Sequence, residues 1–150
     1  MMKLTLEPSQ RSELEVVIRG DLNDPQVSQI IAALNSVKAI SRLFLYQEDR
    51  TYLCPVADIL YFESANNHLI AHTKQGEMEA RYKLYELSEM LRGSGFVQIS
   101  RGVLVNVSEV LSVEPEFSGN YTATLKSGNR PLIISRKYFK SFRDYVVKEL

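Results

Sequence analysis

The sequence predicts a mostly β, β-rich α+β fold with small helices, preceded by a β-β-α N-terminal extension. Beyond residue 42 the apolar residues alternate with a period of two, which is typical of half-buried strands. Clusters of Gly, Pro, Asn and Ser divide this part of the chain into many short runs. Helical spacing occurs in three places only, so strands are expected to dominate the fold.

Residues 1–42 predict two strands followed by a helix. The runs 2–6 and 14–19 have β-type composition, and the turn-prone Pro8-Ser9-Gln10 separates them. Asp24-Pro25 then supplies a helix N-cap followed by proline at the first helical position. Apolar residues follow at helical spacing, and the helix is expected to end at 37–39. We therefore expect an N-terminal extension over 1–42, which serves dimerisation or regulation, and a main domain over 43–150.

The main domain is expected to contain short strands and two helices. The strands are predicted at 42–46, 51–54, 59–63, 68–73, 77–82, 97–100, 104–107, 110–113, 121–126 and 132–134. A short helix is expected over 84–91, because its apolar residues recur at helical spacing and Gly93-Ser94-Gly95 closes it. A last helix is expected from Arg136 to Glu149 with Ser135 as its N-cap, and basic residues line its outer side.

The charge distribution favours an anionic partner, although the formal net charge is zero. Residues 48–116 contain 11 acidic and 6 basic side chains, whereas residues 126–148 contain 7 basic and 1 acidic side chain. The field near a surface is set by charges within about one Debye length, about 8 to 10 Å. A polyanion could therefore bind a basic face formed by the C-terminal part of the chain.

The N-terminal residues and the cysteine content predict a reducing, cytoplasmic location. Charged residues interrupt every apolar run within the first thirty residues, so a secretory signal is not expected. No stretch is apolar over the length that a membrane span requires. The single cysteine, Cys54, excludes an internal disulfide and a cysteine metal cluster. The glycosylation sequons at Asn106 and Asn120 are then chance matches.

The most unusual local pattern is Ser135-Arg136-Lys137 at the start of the last helix. Two cations there oppose the helix dipole by up to about 1 kcal/mol each, so another interaction is expected to favour them. Free amides, a hydroxyl and two cations suit a phosphate, and an arginine can also bind guanine O6 and N7. The alternative is a solvated basic face on a terminal helix.

Two turns offer further candidate contacts. Ser100-Arg101-Gly102 lies between two predicted strands, where glycine permits close approach and Arg101 can project freely. Asn66-Asn67-His68 offers amides that can pair with adenine N6 and N7, and an imidazole that can donate to guanine or phosphate. An exposed turn arginine and an Asn-Asn hairpin turn are also ordinary structural features, so each signal alone is weak.

No enzymatic motif is predicted, and neither a metal nor a cofactor is expected. His68 and His72 would share one face, but the segment lacks the glutamate of the helical zinc-protease motif and a third histidine. Cys54 is most simply a small core residue. The sequence contains no P-loop, dinucleotide-binding turn or serine elbow. A metal-dependent hydrolase that uses the two histidines is the weaker alternative.

Five motifs occur in the order DILYFE (58–63), LYEL (84–87), FVQISR (96–101), LVN (104–106) and ISRKY (134–138). Together they resemble the successive motifs of the LytTR DNA-binding domain, over roughly residues 43–147. This resemblance implies an elongated sandwich of short sheets with small helices. It also implies that loops enter successive major grooves of duplex DNA, in place of a recognition helix.

The resemblance implies a role for each of the three candidate segments. Arg136 would read a base, Arg101 would contact DNA from its turn, and the 66–68 loop would enter a neighbouring groove through Asn67 or His68. The remaining polar residues of the set would contact phosphates: Ser100, Ser135, Lys137 and Lys140. Asn106 and Glu63 belong to the same motifs but would be structural. The implied function is a sequence-specific, double-stranded DNA-binding transcription regulator without catalytic activity.

Protein partners are expected to control and assemble the regulator. Many members of this family carry a phosphoacceptor receiver domain, and residues 1–42 are too few for one, so a membrane-bound inhibitor protein is a candidate partner. The N-terminal extension is expected either to extend the sheet or to form a homodimer interface, because the apolar stripe of its helix, Ile30, Ile31 and Leu34, would otherwise be exposed. The alternative to DNA binding is a β-rich protein-interaction module whose acidic and basic regions pair with another protein.

Overall fold

The computed structural model describes residues 2–10, 14–38, 40–128 and 130–149. The chain divides into two units, Met1–Asn35 and Ser36–Leu150. The first unit consists of an irregular segment and most of one helix, and the second contains every strand of the described residues.

Helix α1 (Pro25–Lys38) begins where the Asp24-Pro25 pair predicts it. The Asp24 carboxylate accepts a hydrogen bond from the backbone N–H of Gln26 at 2.9 Å, and the Asp24 carbonyl accepts from Val27 at 2.9 Å. These bonds satisfy two of the free amides at the helix start, which is the physical role of an N-cap. The helix ends at Lys38, within the predicted range, and Ala39 lies outside the described residues.

The two strands predicted before α1 are wrong. Described residues 2–10 and 14–19 form no strand. A β-type composition is insufficient by itself, because an isolated segment forms a stable strand only with ladder hydrogen bonds and a buried face. Leu4 is 82% exposed and Leu14 is 93% exposed, so neither run has such a face. The extension is therefore an irregular segment followed by a helix, and residues 11–13 lie outside the described residues.

The predicted strand-rich fold is confirmed by the second unit, which contains two antiparallel sheets. The strands are β1 (Arg42–Gln47), β2 (Arg50–Pro55), β3 (Ile59–Ala65), β4 (His68–Thr73), β5 (Gly76–Ala80), β6 (Phe96–Ser100), β7 (Val103–Asn106), β8 (Val110–Pro115), β9 (Tyr121–Leu125) and β10 (Leu132–Ile134). The larger sheet has the order β2-β1-β5-β4-β3-β7-β6, and the smaller sheet has the order β10-β9-β8. Every strand predicted beyond residue 42 is present within about two residues of its expected bounds.

Strand β3 contributes to both hydrophobic cores of this unit. Its first four residues are all buried; Ile59 and Phe62 belong to the first core, whereas Leu60 and Tyr61 belong to the second core. The pairing register with β4 shifts between Ile59 and Tyr61, which is the signature of a bulge. A strand buried on both faces explains why this segment is a continuous apolar run without alternation.

Two helices cover the sheets. Helix α2 (Leu84–Met90) packs Leu87 into the first core, and the chain after it turns through Gly95 with φ of +90°, as the glycine signal predicts. Helix α3 (Arg136–Glu149) packs Phe142 into the second core. The ring of Phe139 stacks on Tyr121 of β9 at a centroid distance of 3.6 Å. Both helices therefore have the inward apolar sides that their sequences predict.

Asn106 connects the end of β7 to the start of β3. Its side chain is buried, and its amide donates to the Ile59 carbonyl at 3.0 Å. Its carbonyl oxygen accepts from the backbone N–H and the hydroxyl of Ser108, at 3.2 and 2.8 Å. The amide thus serves as donor and acceptor inside the protein, in agreement with a structural role.

The substitution Asn106→Ala is expected to destabilise the second unit by about 1–3 kcal/mol, because the buried Ile59 carbonyl loses its side-chain donor. Urea denaturation followed by circular dichroism measures the change in the free energy of unfolding. Ser112→Ala, at an exposed position of β8, is the control and should leave the midpoint unchanged. Equal midpoints for the two variants would contradict the structural role of Asn106.

Candidate nucleic-acid interface

The β3–β4 hairpin carries the first candidate segment. Ala65 pairs with His68, so Asn66 and Asn67 form a two-residue turn with φ of +51° and +64°. Positive φ at both central residues defines a type I′ hairpin turn, in which asparagine is favoured. Both amide side chains are exposed. His68 is also exposed, but it is the first residue of β4 and not part of the turn.

The β6–β7 turn carries the second segment and lies against the first. The Gly102 carbonyl accepts a hydrogen bond from the backbone N–H of Ser64 at 2.8 Å. A Cβ atom at Gly102 would lie 3.6 Å from the Ser64 carbonyl oxygen, so the two backbones are in close contact. Arg101, beside this contact, is exposed, and Ser100 is partly exposed.

The start of α3 carries the third segment and is fastened to the end of β6. The backbone N–H of Ser135 donates to the Ile99 carbonyl at 2.8 Å, next to Ser100. The Ser135 carbonyl then accepts from Tyr138 at 2.8 Å as the helix begins. Ser135 occupies the N-cap position that the sequence predicts, directly before Arg136.

Two backbone hydrogen bonds therefore join the three segments into one cluster, which we call the loop cluster (residues 64–68, 99–103 and 135–140). One bond links Ser64 to Gly102 and the other links Ile99 to Ser135. β3 ends and β7 begins at this edge of the sheet, because the two strands are antiparallel with Glu63 opposite Val103. Segments that are far apart in sequence thus meet at one end of the larger sheet.

The four cations of the loop cluster are available to a partner. All four are exposed, and within the described residues none takes part in an ion pair: Arg101, Arg136, Lys137 and Lys140. Several cations elsewhere are paired with a neighbouring glutamate: Arg81, Arg92 and Arg130. Unpaired exposed cations can bind an anion without first breaking an internal contact.

The loop 116–120, between β8 and β9, also contacts this site, although the sequence analysis did not predict this contact. The Asn120 side-chain oxygen accepts from the backbone N–H of Arg136 at 3.0 Å. A Cβ atom at Gly119 would lie only 3.1 Å from Cδ of Arg136, so the arginine side chain runs along the loop. The Ser118-Gly119-Asn120 triplet predicts a turn, but its contact with α3 is tertiary and has no local signal.

The histidine pair has a structural environment. His72 is partly buried and stacks on Tyr61 at a centroid distance of 4.1 Å; its Nε2 lies 3.1 Å from the Glu63 carboxylate. Arg130 pairs with the other oxygen of Glu63. No group of three or more potential metal ligands occurs among the described residues. His72 is therefore engaged by Tyr61 and Glu63, whereas His68 is exposed at the start of β4.

Cys54 is buried in the first core, as its apolar neighbours predict. Burial, and to a smaller extent the charge of Asp58, raise the pKa of its thiol above the usual value. A protonated, buried thiol is a poor nucleophile.

Among the helices of the described residues, none has both the length and the apolar character needed to cross a bilayer.

The family model of the LytTr DNA-binding domain matches residues 49–146 of the chain. A solved LytTr DNA-binding domain from a Bacillus cereus protein superposes with a TM-score of 0.67 at 19% identity. The match covers 72% of this chain and 98% of that domain. At this identity the comparison shows the fold, and it agrees with the two-sheet architecture described above.

Curated relatives carry names of transcription regulators. An uncharacterized HTH-type transcriptional regulator of Staphylococcus aureus strain MSSA476 is 27% identical over 145 residues, which cover 96% of this chain and 97% of that protein. Transcriptional regulatory protein YpdB of Escherichia coli O6:H1 is 23% identical over 92% of this chain and 58% of that protein. In the described part of this chain, strands separate all three α-helices, so it contains no helix-turn-helix.

Proposed function

The chain belongs to the LytTR family of DNA-binding domains, and from that premise we propose that it is a transcription regulator that binds duplex DNA sequence-specifically through the loop cluster. The observation that carries the proposal is the pair of hydrogen bonds that joins the three segments, from Ser64 to Gly102 and from Ile99 to Ser135. A surface that unites amide, hydroxyl and cationic groups matches the donors that proteins use on bases and phosphates.

The base-reading role falls to the arginines and to the hairpin. Arg136 is proposed to bind guanine O6 and N7 through its two parallel N–H groups, and Arg101 to contact DNA from its turn. The exposed amides of Asn66 and Asn67 suit adenine N6 and N7, with His68 beside them. These contacts from separate loops would enter successive major grooves.

The side chains around the start of α3 are proposed to contact phosphates, and the backbone amides of its first turn are expected to contribute less. The N–H of Arg136 is engaged by Asn120, and the N–H of Tyr138 is engaged by the Ser135 carbonyl. Two of the first amides are therefore already satisfied, which reduces the phosphate site expected from a free helix end. The side chains that remain suited to phosphates are Ser100, Ser135, Lys137 and Lys140.

A homodimer is proposed to form through the N-terminal extension. Its support is the exposure of large apolar side chains in the first unit, among them Leu4, Leu6 and Leu14. Two copies would double the phosphate contacts and match a two-fold symmetric operator. Light scattering at high protein concentration should report twice the chain mass, and a monomer under these conditions would contradict the dimer.

A membrane-bound inhibitor protein is proposed as a second partner that uses the same apolar side chains. By holding the regulator at the membrane, it would keep the loop cluster away from cytoplasmic DNA. Affinity purification from detergent-treated membranes should recover one membrane protein with the regulator. Recovery of the regulator without any membrane protein would contradict this proposal.

Arg136→Ala is expected to weaken binding to the preferred operator by about 1–3 kcal/mol and to relax preference at one base pair. A mobility-shift titration with an operator selected from a random duplex pool measures both effects. Arg92→Ala is the control, because Arg92 is an exposed arginine that pairs with Glu89 and precedes β6, at the end of that strand away from the loop cluster. This variant should bind the operator like the wild type. Unchanged operator affinity of Arg136→Ala would contradict the base-reading assignment.

Lys140→Ala is expected to weaken binding to all duplexes alike, because a phosphate contact is independent of sequence. The slope of log K against log salt should decrease in magnitude by about one unit. The measurement is the affinity for the selected operator and for a scrambled duplex at several salt concentrations. A loss confined to the operator, or an unchanged slope, would contradict the phosphate assignment.

A further inference from the structure

Phe117 is an exposed aromatic side chain at the tip of the loop 116–120. Its exposure is 112% of the reference value, the highest among the exposed large apolar residues in the described part of the chain. Single exposed apolar residues are common, so exposure alone identifies no site. The contact of the same loop with Arg136, through Gly119 and Asn120, gives the exposure its meaning.

The loop holds Phe117 at a defined place. The Glu116 N–H donates to the Asn120 carbonyl at 2.9 Å, and the Gly119 N–H donates to the Glu116 carbonyl at 3.1 Å. The Asn120 N–H also donates to the Ser118 hydroxyl at 3.3 Å. Three internal hydrogen bonds within five residues restrict the conformations of the loop, so the aromatic ring is presented by a fixed backbone.

The same loop is in direct contact with Arg136. Asn120 binds the backbone N–H of Arg136, and a Cβ atom at Gly119 would lie 3.1 Å from Cδ and 3.4 Å from a guanidinium nitrogen of Arg136. Gly119 has φ of +94°, which favours glycine, and its missing side chain leaves room for the arginine. Phe117 and the Arg136 guanidinium are therefore anchored to one small piece of backbone.

The surroundings favour an anionic partner over an apolar protein surface. The start of α3 carries Arg136, Lys137 and Lys140, which are exposed and form no ion pair in the described residues. These three cations outnumber the one carboxylate of the loop, Glu116, which accepts a hydrogen bond from the Thr122 hydroxyl. In a major groove the apolar group available to an aromatic side chain is the 5-methyl group of thymine. We propose that Phe117 is a specificity-determining residue that packs on a thymine methyl next to the base read by Arg136. This inference rests on the proposed function.

The test uses the full chain and an operator selected from a random duplex pool with the wild-type protein. Each thymine of the operator is replaced in turn by uracil, which removes only the methyl group. Loss of one buried methyl should lower the wild-type affinity about fourfold at one position, beside the base pair at which Arg136→Ala relaxes preference. The affinity of Phe117→Ala should not change when uracil replaces thymine at that position. Phe117→Leu should lose affinity there, but less than the wild type does.

Leu111→Ala is the matched control, because Leu111 is 64% exposed and lies near the other end of the β8–β9 hairpin. It should retain the wild-type uracil profile. A uracil profile of Phe117→Ala identical to that of the wild type would overturn the role of Phe117. A change in the oligomeric mass of Phe117→Ala without a change in its DNA affinity would also overturn it. If Arg136→Ala loses binding while Phe117→Ala does not, the inference fails and the proposed function stands. Failure of the wild type to bind any duplex would overturn both.

Discussion

Two backbone hydrogen bonds around the β6–β7 turn hold the loop cluster together. One connects Ser64, at the end of β3, to Gly102, and the other connects Ile99 to Ser135 at the start of α3. Each brings together parts of the chain that are more than thirty residues apart. The pairing of β3 with β7 places the hairpin and the turn at one edge of the sheet, and the two hydrogen bonds set how the hairpin, the turn and the helix start meet there.

The cores fix these loops more strongly than the hydrogen bonds do. A backbone hydrogen bond contributes about 0.5–1.5 kcal/mol net, whereas burial of one large apolar side chain contributes about 1.5–3 kcal/mol. Four consecutive residues of β3 are buried between the two cores, and Phe142 holds α3 against the second. The cores therefore position the strands and the helix, and the two hydrogen bonds set how their ends meet. This arrangement explains how exposed polar residues, such as those at the Asn66-Asn67 turn, can be presented from a rigid support.

Most of the second unit could be predicted from the sequence, because period-two alternation, turn residues and helical spacing are local signals. The prediction of two N-terminal strands was wrong because the β-type composition at 2–6 and 14–19 does not supply a partner strand or a buried face. The candidate segments were predictable from residue type, but the left-handed Asn66-Asn67 turn and the position of His68 in β4 required coordinates. The contacts of Asn120 and Gly119 with Arg136 depend on tertiary packing between β9 and α3, which no sequence window contains.

Backbone hydrogen exchange, with and without a selected operator duplex, tests the central claim most directly. One duplex should slow exchange in all three parts of the loop cluster together, at 64–68, 99–103 and 135–140. The turn after Thr73, at the opposite end of β4, should exchange at the same rate in both states. Slowed exchange at that opposite end, or in only one of the three segments, would contradict a single DNA-binding surface.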